Sequence, residues 1–146
     1  MSEYIRFQSA VPNRHGRYPG VFAMANGLAR NGLLGPADGE WLRAANASMN
    51  AAYPDPTGST PDCYDPQKNP GARAWFKCGA AELLEAARGY LSLLDRSGVG
   101  WVEPRTARPG RIVHEDAVQV VAVPYRYPDD WPFVSSCSTG AASMLT

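Results

Sequence analysis

His114, Glu115 and Asp116 stand consecutively in "PGRIVHEDAVQVVAVPY", directly before the most β-prone run of the chain. An imidazole beside two carboxylates is the equipment of general acid–base catalysis, which makes this triplet the catalytic candidate. Strand parity sets a condition on it. In an unbroken strand over 111–123, Ile112, His114, Asp116, Val118, Val120 and Ala122 share one face. An unsatisfied His or Asp among those valines costs about 1–3 kcal/mol. A bend or bulge at Glu115–Asp116 shifts the parity and removes the conflict. The sequence therefore predicts an interruption there, which serves strand punctuation as readily as catalysis.

A second candidate is "NRHGRYPG", where Arg14, His15 and Arg17 surround Gly16 just ahead of a helical segment. Two guanidiniums, a glycine backbone and a helix N-terminus are the parts of an anion site. Neither the Walker spacing nor GxGxxG is present, and a solvated basic turn has the same composition. A third candidate, for partner binding, is the proline-punctuated segment carrying Tyr125, Tyr127, Trp131 and Phe133. Amphipathic aromatics of this kind are enriched in interfaces, and they also cap a domain's own core.

No metal site is expected, because the two histidines and three cysteines show neither CxxC nor HxxxH spacing. Asp55, Asp62 and Asp65 do not follow the calcium-loop pattern. No cofactor motif is present either. A cysteine nucleophile would need His15 or His114 close in space, and Cys78 reads as a small buried hydrophobe.

The elements that must position these residues are partly legible. "YIRFQSAV" (Tyr4 to Val11) alternates as a strand with Ile5, Phe7 and Ser9 on one face. Val21, Met24, Ala25 and Leu28 fall at helical spacing, with Gly32 or Gly35 as the stop. A second helix is expected over Pro36 to Ala52, with Trp41 or Leu42, Ala45, Met49 and Ala52 on one face. The glycosylation-like "NAS" at Asn46 lies within it and carries no meaning in a cytoplasmic chain. "YPDPTGSTPDCYDPQKNPG" (53–71), with five prolines, is a long irregular connection that is either functional or wraps a surface. The stripe Leu83, Leu84, Ala87, Tyr90, Leu91 and Leu94 defines a third helix. Gly89 inside it costs about 1 kcal/mol against alanine and signals a close packing contact. "VGWVEPRT" and "RIVHEDAVQVVAVPY" read as strands joined by an "ARPG" hairpin loop, with Pro104 at an edge or an end.

Helices followed by a β-rich end predict an α+β fold, about three helices packed on one face of a small, mainly antiparallel sheet. The chain of 146 residues fits a single domain over 1–134, followed by a small-residue C-terminal tail at 135–146. Fourteen basic residues balance fourteen acidic ones, which argues against a chain-wide nucleic-acid or anionic-membrane role. No apolar run approaches the roughly 20 residues of a membrane span. The N-terminal residues lack a signal-peptide layout, and Cys63, Cys78 and Cys137 do not form a disulfide framework. A cytoplasmic location is the expectation. Only Lys68 and Lys77 are lysines, a bias that fits a GC-rich genome.

"RFQSAVPNRHGRYPGVFAMANGLARNGLL", "AAYPDP", "NPGARAWFK", "GYLSLLDRSGV" and "PGRIVHEDAVQVVAVP" together resemble a group of short actinobacterial proteins of unknown function, over roughly residues 5 to 124. That resemblance implies a bacterial, cytoplasmic, single-domain protein and assigns no catalytic residue. "HG" (His15, Gly16) and "NGLL" (Asn31 to Leu34) are also similar to parts of small ADP-ribosyltransferase-type domains. Two functions follow as expectations. One is a binding or regulatory protein acting through a protein partner or self-association. The other is an enzyme on an anionic or nucleotide-like substrate, ADP-ribosyltransferase-like by that second resemblance. In it Arg14, His15 and Arg17 grip the anion, and His114, Glu115 or Asp116 move the proton.

Overall fold

In the computed structural model, which describes residues 3–125, the chain opens with two short strands, β1 (Tyr4–Ile5) and β2 (Gln8–Ser9). Helices α1 (Val21–Arg30) and α2 (Pro36–Ala52) and the single-turn α3 (Pro56–Ser59) follow. Strand β3 (Arg73–Lys77) leads into helix α4 (Ala81–Arg96). Strands β4 (Trp101–Val102), β5 (Arg105–Thr106), β6 (Arg111–Glu115) and β7 (Gln119–Val123) complete the described chain. The main sheet has the order β5-β1-β3-β7-β6 with every neighbouring pair antiparallel, and β2 and β4 form a separate ribbon. The fold is α+β, with the three long helices packed against one face of the sheet.

Each long helix follows from its local sequence. Helix α1 stops where Gly32 takes φ +68°, and the amides of Gly32 and Leu33 turn back onto the carbonyls of Ala29 and Leu28. "NGLL" is thus the helix terminator. Helix α2 begins with Pro36 in its first turn and buries Leu42, while Ala45 and Met49 pack at the edge of the core. Helix α4 buries Leu83, Ala87, Tyr90, Leu91, Leu93 and Leu94. These meet Val21 and Ala25 of α1 and the sheet residues Ile5 and Phe76 in the main core. A smaller cluster of Tyr4, Trp75, Val120 and Ala122 occupies the opposite face of the sheet.

The segment expected as one strand over Tyr4 to Val11 is two pieces. Tyr4 pairs with Thr106 and Ile5 with Arg105, then Gln8 pairs with Val102 and Ser9 with Trp101. The register is the same on both sides of the break, so this is one ladder kinked at residues 6–7. Pro104 is the cause: it has no N–H to give the ladder, although its carbonyl still accepts from the Arg6 amide at 3.0 Å.

The expected "ARPG" hairpin is absent. Strands β5 and β6 lie at opposite edges of the sheet, and Gly110 makes the crossing with φ +134°, where a Cβ would collide with the Val123 carbonyl. The hairpin is instead β6–β7, inside the segment expected as a single strand. Its turn is made by Asp116, whose Oδ1 accepts from the amides of Val118 (2.9 Å) and Gln119 (3.0 Å). A carboxylate of this kind closes a turn without a glycine, so no glycine signal marked it.

The proline-rich connection is ordered by its own side chains. Asp55 caps α3 through the Thr57 amide, Asp65 accepts from Gln67 and Lys68, and Asn69 donates to the Asp62 carbonyl. Gly89 sits under Trp41, and a Cβ built there would lie 2.7 Å from the indole. Gly89→Ala is therefore expected to lower stability by about 1–3 kcal/mol despite its better helix propensity. Denaturant unfolding should show Trp41→Leu restoring the double variant; a stabilised Gly89→Ala single variant would contradict the packing.

Candidate functional site

The triplet does not act as one unit. His114 is buried at 8 % exposure on the helix-side face, while Glu115 points to the other face and pairs with Lys77 at 2.7 Å. Asp116 returns to the histidine: its Oδ2 lies 3.2 Å from His114 Nε2. On the far side of the ring, His114 Nδ1 lies 3.0 Å from Thr60 Oγ1 in the proline connection. An ionised Asp116 holds the ring proton on Nε2, which leaves Nδ1 to accept from the Thr60 hydroxyl.

The chain turns at Asp116, so the parity conflict of an unbroken strand does not arise: His114 pairs with Val121, while Val120 and Ala122 face the other side of the sheet. The imidazole enters the protein with both nitrogens satisfied. The register shift falls between Ile112 and His114, two residues earlier than Glu115–Asp116, where the chain turns instead. Burial works to raise the Asp116 pKa, but the Val118 amide, the His114 ring and the Gln119 amide outweigh it and hold the carboxyl below 3.8.

Thr60, His114 and Asp116 have the connectivity of a hydroxyl–imidazole–carboxylate relay. None of the three lines the cavities described below. Their evident effect is to latch the proline connection onto the β6–β7 hairpin.

Arg14, His15 and Arg17 are exposed on a turn built by Asn13. Asn13 Oδ1 accepts from the amides of His15 and Arg17, and Gly16 takes φ +74°. Arg14 Nε lies 3.3 Å from His15 Nε2. Among the described residues no hydrogen bond or ion pair joins these three to the 114–116 triplet. They line none of the cavities described here. Tyr125 is 56 % exposed, with the Arg108 guanidinium 5.6 Å from its ring centre. It lines an open depression of about 720 Å³ together with Ile112, Val123 and Pro124. Tyr127, Trp131, Phe133 and the tail at 135–146 lie outside the described residues. Burial pushes the thiols of Cys63 and Cys78 up, away from nucleophilic thiolate character.

Among the described residues, a cleft lies between the helices, the proline connection and the sheet. Its larger chamber, about 320 Å³, is bounded by Phe22 and Asn26 of α1, Asn46 and Asn50 of α2, and Tyr53 and Pro56. Its smaller chamber, about 180 Å³, is bounded by Arg6, Gly20, the first residues of α1, and Tyr64. Phe22, Phe76 and Gln119 line both, so the chambers adjoin.

Arg6 gives the smaller chamber its character. It is 8 % exposed. Its Nε donates to Gln8 Oε1 at 2.7 Å, Nη1 to the Ala74 carbonyl at 2.9 Å and Nη2 to the Tyr18 carbonyl at 3.0 Å. Of the five guanidinium N–H groups, one on each terminal nitrogen has no acceptor among the described residues. No carboxylate pairs with Arg6 among the described residues. Burial pushes its pKa down to about 10, against a smaller opposing effect of Tyr64, so the charge persists at neutral pH.

Gly20 precedes α1 and offers no capping side chain. The Val21 amide donates to the Phe7 carbonyl at 3.0 Å and Met24 to Gly20 at 3.0 Å. The amides of Phe22 and Ala23 have no protein acceptor among the described residues. Arg6, Phe22 and Ala23 all line the same chamber.

The sequence hid these groups. Arg6 sits between Ile5 and Phe7, which both enter the helix-side core, so alternation assigns it to the outer face of a strand, and nothing local reveals that its guanidinium is buried against the Tyr18 and Ala74 carbonyls. Asn46 and Asn50 share a helix face by their spacing, which was the one available signal. Among the described residues no helix is long and apolar enough to cross a membrane, and no three His, Cys, Asp or Glu side chains cluster as metal ligands. No protein-family model matches the chain, and neither the curated proteins nor the solved structures contain a match.

The depressed Asp116 pKa fixes a sign. Its stabilisation is full above 3.8, the ordinary value, and is lost as pH falls through the lower folded value. Asp116→Asn is expected to cost about 1 kcal/mol at pH 7. In unfolding curves the gap to wild type should close in acid below 3.8. A gap independent of pH would contradict the charged contact to His114.

Proposed function

We propose that this protein binds a small anionic ligand in the cleft between α1, α2 and the proline connection, with Arg6 as the anion anchor. One observation carries the reading: a buried guanidinium without a carboxylate partner lines a chamber at the start of α1. A buried cation is costly until an anion joins it, and the unpaired helix amides add donors at the positive end of the helix dipole. The resemblance over residues 5 to 124 and the arginine bias support a bacterial, cytoplasmic setting. Protein contact through Tyr125 is the second reading, favoured by its exposure beside the exposed Ile112 of edge strand β6.

Inorganic phosphate is the first probe. It should raise the melting temperature of the full chain saturably, as ligand linkage requires, whereas chloride at equal ionic strength should not. Arg6→Gln should abolish the effect and Arg6→Lys weaken it. A melting temperature blind to phosphate and sulfate would overturn the anion reading.

A further inference from the structure

The geometry points to a ligand of the nucleoside monophosphate class, with its phosphate against Arg6 and its base in the larger chamber; this rests on the anion reading of Arg6. The two chambers adjoin at Phe22, Phe76 and Gln119, so a ligand that fills both is elongated and charged at one end. The larger chamber contains no cationic side chain. Its carboxylate, Asp55, is already engaged by the amide and hydroxyl of Thr57.

What that chamber offers is aromatic surface beside primary amides. Tyr90 donates to Asn46 Oδ1 at 2.8 Å, and Asn46 Nδ2 donates to Asn26 Oδ1 at 2.8 Å. This chain of bonds fixes Asn46 and leaves the Asn26 amide nitrogen without a protein acceptor among the described residues. The side-chain amides of Asn50 and Gln119 likewise have no protein partner there. A carboxamide presents donor and acceptor side by side, which matches the edge of a nucleobase. Phe22 and Tyr53, the part-exposed rings of the lining, supply the flat surface on which a base stacks. In the smaller chamber, Arg6 and the Phe22 and Ala23 amides belong to two different elements, and a tetrahedral phosphate can accept from both at once.

Calorimetric titration of the full chain with inorganic phosphate, ribose 5-phosphate, adenosine and the four ribonucleoside 5′-monophosphates tests the assignment. At least one nucleotide should bind about tenfold or more tightly than ribose 5-phosphate, the gain expected from one stacked base. It should also compete with phosphate. Asn50→Leu, on the exposed side of α2, should reduce nucleotide affinity about fivefold and leave phosphate binding unchanged. Arg6→Lys should weaken phosphate and nucleotide together. Should Arg6→Lys misfold, Gly20→Val gives the same test, because Gly20 has an ordinary extended backbone (φ −79°, ψ 172°) and its Cβ position lies 3.6 Å from both terminal nitrogens of Arg6. Nucleotides that bind no tighter than ribose 5-phosphate would overturn the nucleotide assignment and leave the anion site standing. Failure of every phosphorylated probe to bind would overturn both. Nucleotide binding that is indifferent to Arg6→Lys and Gly20→Val would overturn the placement of the phosphate.

Discussion

A guanidinium held inside the protein at the kink of its first strand is the constraint around which the described residues are arranged. Arg6 joins three elements that are far apart in the chain. It reaches Gln8 across the kink, the Tyr18 carbonyl on the approach to α1, and the Ala74 carbonyl of β3. The kink itself comes from Pro104 on the opposing strand, which accepts a hydrogen bond and cannot return one.

That placement determines what lies around it. Helix α1 starts on the bridge formed by Gln8 and Gly20, which sets Gly20 beside the guanidinium. The proline connection then closes the other side of the cleft and is fastened by Thr60 to His114. Asp116 works twice in this arrangement: Oδ2 orients the histidine and Oδ1 turns the β6–β7 hairpin that presents Gln119 to the cleft. The conspicuous acid–base triplet thus supports the candidate site from behind, and the polar and aromatic groups lining the cavity are an arginine, amides, the Thr57-bound carboxylate of Asp55 and aromatic rings.

The sequence was most informative where a local rule decides the structure. Pro36 to Ala52 forms a helix with those same ends, the α4 stripe is buried except for the half-buried Leu84 and is joined by Leu93, and Gly89 has the close neighbour that its position implied. It was less informative where a long-range pairing decides. Nothing near residue 110 reveals that β5 and β6 occupy opposite edges, because the strands that intervene between them, β1, β3 and β7, come from distant parts of the chain or follow later. Arg6 was hidden for the same reason: its guanidinium is held by carbonyls of Tyr18 and of Ala74, the second 68 residues away. Parity required an interruption near Asp116 but did not fix where His114 would face, and its partner Thr60 lies in a loop whose path no periodicity describes. The Arg14, His15 and Arg17 cluster was visible because it is local, and its local turn is what the structure explains.

The state of the Arg6 side chain is the most direct point of test. In a ¹⁵N side-chain NMR spectrum, its Nε–H, assigned by its loss in Arg6→Lys, should exchange slowly with water. It should also shift saturably on titration with inorganic phosphate, and remain unmoved by chloride at matched ionic strength. A rapidly exchanging Nε–H, or a shift that merely follows ionic strength, would contradict a buried cation waiting for an anion.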